Sequence, residues 1–67
     1  MTPNAVSLVY NQGVCAESRG DAEAALVLYK KAERLLGKPD DDIILAINRT
    51  SETVKNQKKL KEEMRNQ

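Results

Sequence analysis

The chain has 67 residues and a formal charge of +1, from 11 Lys and Arg against 10 Asp and Glu. That length holds one small domain with a thin core, and so even a charge gives no global field toward nucleic acid or anionic lipid. With no His, Trp or Phe, one Cys and two Tyr, histidine-based catalysis, Cys/His zinc sites and base-stacking platforms are excluded.

What remains is a binding or assembly module with no catalytic residue, no cofactor, no metal site and no nucleic-acid partner. Cys15 has no second cysteine to pair with, which points to reducing, intracellular surroundings. No stretch reaches the roughly 18–20 apolar residues of a membrane span, and Met1-Thr2-Pro3-Asn4 has no basic region of the signal-peptide type. Asn48-Arg49-Thr50 spells a glycosylation sequon, a coincidence on a cytosolic helix.

Thr2 followed by Pro3 reads as an N-cap with proline at the first helical position. From there to Arg19, Ala5, Leu8, Val9, Cys15 and Ala16 recur at helical spacing. On that phase Cys15 sits beside Leu8 as a small buried apolar residue. Gln12 falls on the same arc, where it either bonds across the bundle or marks a wrong phase. Gly20 ends the helix in the left-handed conformation and Asp21 caps the next one. A break this short folds the two helices into an antiparallel hairpin.

The second helix runs from Ala22 to Leu36. Leu35, Leu28, Ala32, Ala25, Leu36, Tyr29, Ala22 and Leu26 cover an arc of about 180°, wider than a single partner needs. This is the central helix, with Tyr29 a packing residue and Ala25 and Ala32 allowing close approach of the first helix. Gly37-Lys38-Pro39 stops it. Asp40, Asp41 and Asp42 then open a third helix, as caps and dipole partners.

The third helix carries a stripe of Ile43, Ile47, Val54 and Met64, filled by Ala46, Thr50, Gln57 and Lys61. After Val54 it turns polar, and residues 55–67 hold five positive and two negative charges. This end is expected to project past the hairpin. Charge alternates along the chain: +1 over residues 1–39, −3 over 40–54, +3 over 55–67. The fold class expected is all-α, one domain over residues 1–67, a three-helix antiparallel up-down-up bundle with helices over about 3–19, 22–36 and 41–65.

The pattern Gly13…Gly20-Asp21…Ala25-x-x-x-Tyr29-x-x-Ala32 resembles a tetratricopeptide hairpin, whose 34-residue consensus has a small residue in its first helix, a turn, then alanine and aromatic positions. A solenoid needs about three such repeats and one is present. The same hairpin, completed by a third helix, is similar to the MIT (microtubule-interacting and trafficking) domain. Ala5-Val6-Ser7-Leu8-Val9 resembles that family's opening, and Ala22-Glu23-Ala24-Ala25-Leu26-Val27-Leu28-Tyr29-Lys30-Lys31-Ala32 its second-helix signature. The resemblance implies a monomeric, non-catalytic docking domain. It would bind the peptide tail of an ESCRT subunit in a groove between helices two and three, and localise a larger trafficking or autophagy protein. It also implies a cytoplasmic location, reached at endosomes or autophagosomes through partners.

Apolar residues outside the core stripes are the candidates for such a groove. Val27 lies about 160° from the centre of the second-helix stripe, near Lys31 and Arg34. Ile44 and Leu45 lie off the third-helix stripe, near Asn48 and Glu52. If the two faces adjoin, they form an apolar strip edged by both charge signs, the arrangement of helix-in-groove recognition. Tyr10 and Val14 mark a rival groove between helices one and three. Two other classes are a homo-oligomerisation element, with Ile43, Ile47, Thr50, Val54, Gln57, Lys61 and Met64 as a heptad seam weakened by its polar members, and one end of a longer tetratricopeptide superhelix.

Overall fold

A short polar side chain opens each helix by accepting hydrogen bonds from otherwise unpaired N–H groups. In the computed structural model, which describes residues 4–65, these helices are α1 (Ala5–Ser18), α2 (Ala22–Leu36) and α3 (Asp41–Arg65). Asn4 caps α1 by accepting from Ser7 N at 2.8 Å, Asp21 caps α2 by accepting from Ala24 N at 3.2 Å, and Asp40 caps α3 by accepting from Asp42 N and Ile43 N at 2.9 and 3.1 Å. Thr2 and Pro3 lie outside the described residues, and the cap of α1 is Asn4. The acidic triplet works as read from sequence: Asp40 caps, while Asp41 and Asp42 occupy the first turn, where the macrodipole favours them.

The hairpin between α1 and α2 is set by a two-bond lock. Gly20 adopts φ 82°, a left-handed conformation that costs glycine nothing. It donates to Glu17 O at 3.0 Å, and Asp21 N donates to Ala16 O at 3.0 Å, the paired bonds of a Schellman ending. Asp21 therefore closes one helix with its N–H and opens the next with its carboxylate. Gly37, also left-handed, ends α2.

The result is the expected all-α, three-helix antiparallel bundle, with no strand among the described residues. As its wide apolar arc implied, α2 is central and packs on both α1 and α3. Two joined clusters form the core: Ala16, Ala25, Tyr29 and Ala46 in one, Val9, Ala32 and Ile43 in the other. Tyr10, Leu28 and Ile47, each half-buried, pack against both. Apart from Tyr29, Ile43 and Val9 the buried apolar side chains are alanines, so the helices approach closely. Tyr29 fills the middle, its ring 5.3 Å from that of Tyr10 in a tilted pair. Thr50 is fully buried but donates its hydroxyl to Ala46 O at 2.7 Å, so its burial leaves no polar group unpaired.

Several sequence expectations are corrected here. Leu8 is 54% exposed and Cys15 is exposed, because the buried face of α1 is Val9, Gly13 and Ala16. Gln12, exposed as well, was marking the wrong phase. Leu35, at 49%, and Met64 likewise lie outside the core. Residues 55–64 of α3 are exposed, so this end projects, in a molecule measuring 53 × 21 × 14 Å.

Candidate peptide-binding grooves

Three helices in an open arrangement leave clefts along their seams, and three of similar volume, about 390–400 Å³, line the surface. Size does not rank them, so their chemistry has to.

The cleft between α2 and α3 is lined by Val27, Lys30, Glu33, Arg34 and Ile47. Val27 is 63% exposed and Ile47 is half-buried, giving an apolar strip along the seam. Lys30 and Arg34 on α2 make one edge basic, with Glu33 between them in sequence. Of the residues picked from sequence, this groove brings together Val27 and Arg34. Lys31 is exposed, but one position on from Lys30 it turns about 100° away, toward the α1 side. Ile44, half-buried, sits one turn before Ile47 at the edge of the seam.

Leu45, Asn48 and Glu52 are exposed and do not line this cleft. They lie about 160°, 100° and 140° around α3 from Ile47, so they and Ile47 cannot face one groove together. The buried face of α3 is Ile43, Ala46 and Thr50, rotated from the stripe of large aliphatics, and that rotation moves Ile47 from core to groove wall. Lys30, Glu33 and Ile47 were missed. A helical phase anchored on Ala46 and Thr50 finds Ile47, and Lys30 and Glu33 follow as the flank of Val27 and Arg34 at helical spacing.

A second cleft lies where the start of α1 meets the start of α3 and the end of α2. Val6, Tyr10, Leu36 and Ile43 form its apolar floor, Asp40 and Asp42 stand at its rim, and Asn4, Ser7 and Asn11 complete it. Tyr10 of the rival groove lies here, whereas Val14, 41% exposed, does not line it. The third cleft runs between α1 and α2 on the side away from α3, lined by Leu8, Cys15 and Leu28 with Asn11, Gln12 and Arg19.

A polar cluster ties the three helices together. Arg49 of α3 donates to both carboxylate oxygens of Glu17 on α1, at 2.6 and 2.8 Å, and the Tyr29 hydroxyl of α2 donates to Glu17 Oε1 at 2.9 Å. The Arg49 hydrogen bonds hold the Glu17 carboxyl below its ordinary pKa, with help from Tyr29. Burial, reinforced by Glu17, pushes the Tyr29 hydroxyl up to about 12. Bonding to Glu17 also raises Arg49. Among the described residues no buried side-chain nitrogen or oxygen is left without a partner, and the cluster acts as a clasp between the helices. No group of three or more His, Cys, Asp or Glu is placed to hold a metal ion among the described residues, and no helix there is long and apolar enough to cross a membrane.

No protein-family model, curated protein or solved structure matches this chain.

Proposed function

We propose that the chain is a non-catalytic docking module that takes a short helical peptide in the seam between α2 and α3. The observation that carries this is the pairing of an exposed Val27 with a half-buried Ile47 beside the basic edge Lys30 and Arg34. An amphipathic helix with an aliphatic anchor and acidic flanks matches that surface, apolar against apolar and carboxylate against Lys and Arg. The resemblance of the α1–α2 sequence to MIT domains supports the reading and names the partner class, the tail of an ESCRT subunit. The module then localises a larger trafficking or autophagy protein.

An amide-shift titration of the labelled domain with a panel of such tail peptides tests this. Shifts are expected at Val27, Lys30, Arg34 and Ile47, and Arg34→Glu should weaken binding by roughly tenfold or more, the loss of a desolvated charge pair. Shifts centred on Tyr10 and Val14 would keep the function and move the site. No response to any peptide would sink the assignment.

A second reading, a tetratricopeptide-like scaffold, is favoured by one observation. Leu8, Cys15 and Leu28 line a strip on the side of the hairpin away from α3, and Leu35, two turns on from Leu28, extends it. A stacked neighbouring repeat buries such a face, and further 34-residue periods in flanking sequence would decide for it.

A further inference from the structure

We propose that the acidic cleft at the start of α3 receives the basic end of α3 from a second copy of this chain, forming a weak two-fold dimer. The cleft joins an apolar floor, Val6, Tyr10, Leu36 and Ile43, to a rim carrying Asp40 and Asp42, and neither Lys nor Arg is among the residues that line it. Two helix N-termini converge here and one C-terminus, each worth about half a charge. Asp40, Asp41 and Asp42 carry full charges, so the local field is negative. The occupant that fits is cationic and brings aliphatic side chains for the floor.

The end of α3 has both properties. Leu60 and Met64 lie one turn apart and are 59% and 71% exposed, so they share a face that is largely open to solvent. Lys59 and Lys61 flank this face on either side, with Glu63 between Lys59 and Leu60 and with Lys55 and Lys58 on the far side of the helix, in a segment of net charge +3 against −3 over residues 40–54. The same molecule cannot supply this occupant. Its α3 is one unbroken helix, and Asp42 and Lys58 stand about 24 Å apart along it. Two α3 helices laid side by side and antiparallel solve the geometry. Each basic end then meets the other's acidic start, both contacts form together, and the assembly closes as a dimer. Leu45, exposed on α3, is the remaining aliphatic residue available to such a pairing. The α2/α3 seam stays open, so this contact stands or falls separately from the docking function.

A small charged interface is weak, so mass is best measured by sedimentation up to about 1 mM protein, at about 20 mM and about 0.5 M salt, where screening lengths differ several-fold. The expected result is a monomer that becomes a dimer with rising concentration in low salt and reverts in high salt. Asp42→Lys alone, and Lys58→Glu with Lys59→Glu alone, should each raise the dissociation constant at least tenfold. An equimolar mixture of the two variants should restore dimer in part, because the mixed dimer keeps one unaltered cleft-and-tail contact, and in its other contact the reversed charge at position 42 faces the reversed charges at 58 and 59. The bonds that cap α3 are made by Asp40 and not by Asp42, the first-turn charge of Asp42 adds only a small dipole contribution, and the tail lies outside the core, so helicity by circular dichroism should stay close to the parent. A monomer at every concentration in low salt overturns the proposal. So does a dimer indifferent to salt and to both charge reversals, or one abolished by Leu8→Ser, an exposed position whose loss would place the contact on the α1/α2 strip.

Discussion

Gly13 packs directly against the Tyr29 ring. A methyl group on Gly13 would stand 2.7 and 2.8 Å from two Tyr29 ring carbons, and that ring is fully buried, so it has little room to yield. Alanine is the better helix former by about 1 kcal/mol, and overpacking costs about 1–3 kcal/mol, so the two effects oppose. The clash is with a ring wedged between three helices, so it should win: Gly13→Ala is expected to lower unfolding free energy by about 1–2 kcal/mol in urea titration. A more stable variant would mean the ring moves aside freely. Tyr29 also gives the fold an alkaline limit. Its hydroxyl is raised from 10 to about 12, burial being the larger cause and Glu17 the next. Below pH 10 both folded and unfolded chains hold the proton. Between 10 and about 12 only the unfolded chain releases it, and stability should fall by an amount on the order of 2 kcal/mol. Tyr29→Phe, followed by circular dichroism over that range, should show a flatter decline than the parent, and equal slopes would remove Tyr29 as the cause. Glu17 has the opposite sign. Its carboxyl is lowered by Arg49, so its contribution is present above its ordinary range and lost in acid, and its surface position keeps that under about 1 kcal/mol.

At the scale of the helix, what the sequence made legible follows from what it encodes locally. Gly20-Asp21, Gly37 and Asp40 are local chemistry: a left-handed glycine and a capping carboxylate need no distant partner, so those boundaries were readable to within a residue or two. The face of α2 was readable because its apolar arc is wide enough to tolerate an error of phase. The rotation of α1 was not, nor was the flank of α3 that meets α2. In α1 the large aliphatic Leu8 and the thiol of Cys15 pulled the expected core toward themselves, whereas Gly13 and Ala16 make the contact. In α3 the buried Ile43, Ala46 and Thr50 all belong to the expected stripe, and Val54 and Ile47, half-buried, lie at its flank. Hydrophobic weighting locates the bulkiest side chains, and a core built on close helix approach is located by the smallest. The candidate groove inherited that error directly. Val27 and Arg34 were found because α2 was phased correctly, while Leu45, Asn48 and Glu52 were drawn in because the sequence does not encode which flank of α3 meets α2, and Ile47 was left out because it was counted as core. Gln12 carried the warning, since a glutamine on a supposed core arc with no partner signals that the arc is misplaced.

For the molecule as a whole, the division of α3 into a packed half and a projecting half separates stability from association. Residues up to Val54 contribute to the core or its edge, and residues 55–64 are exposed, with neither Leu60 nor Met64 reaching another helix of the same chain. Their helix persists as an extension of turns already nucleated on α2, which removes the cost of starting one in water. Deleting residues 58–67 therefore takes away almost no buried area over the described positions 58–64, and removal of such surface changes unfolding free energy by roughly 0.5 kcal/mol or less. In a domain this small that is a shift in Tm of about 2–4 °C at most. The same deletion removes Lys58, Lys59, Lys61, Leu60 and Met64 together. A thermal melt at low micromolar concentration, where a weak dimer is dissociated, should show the truncated and full-length chains nearly superposed. At millimolar concentration and low salt the full-length chain should melt later, because a partner bound only to the folded state stabilises by mass action, and the truncated chain should not change. A drop of ten degrees or more at low concentration would instead show that the projecting half is part of the core, and the division of α3 would be wrong.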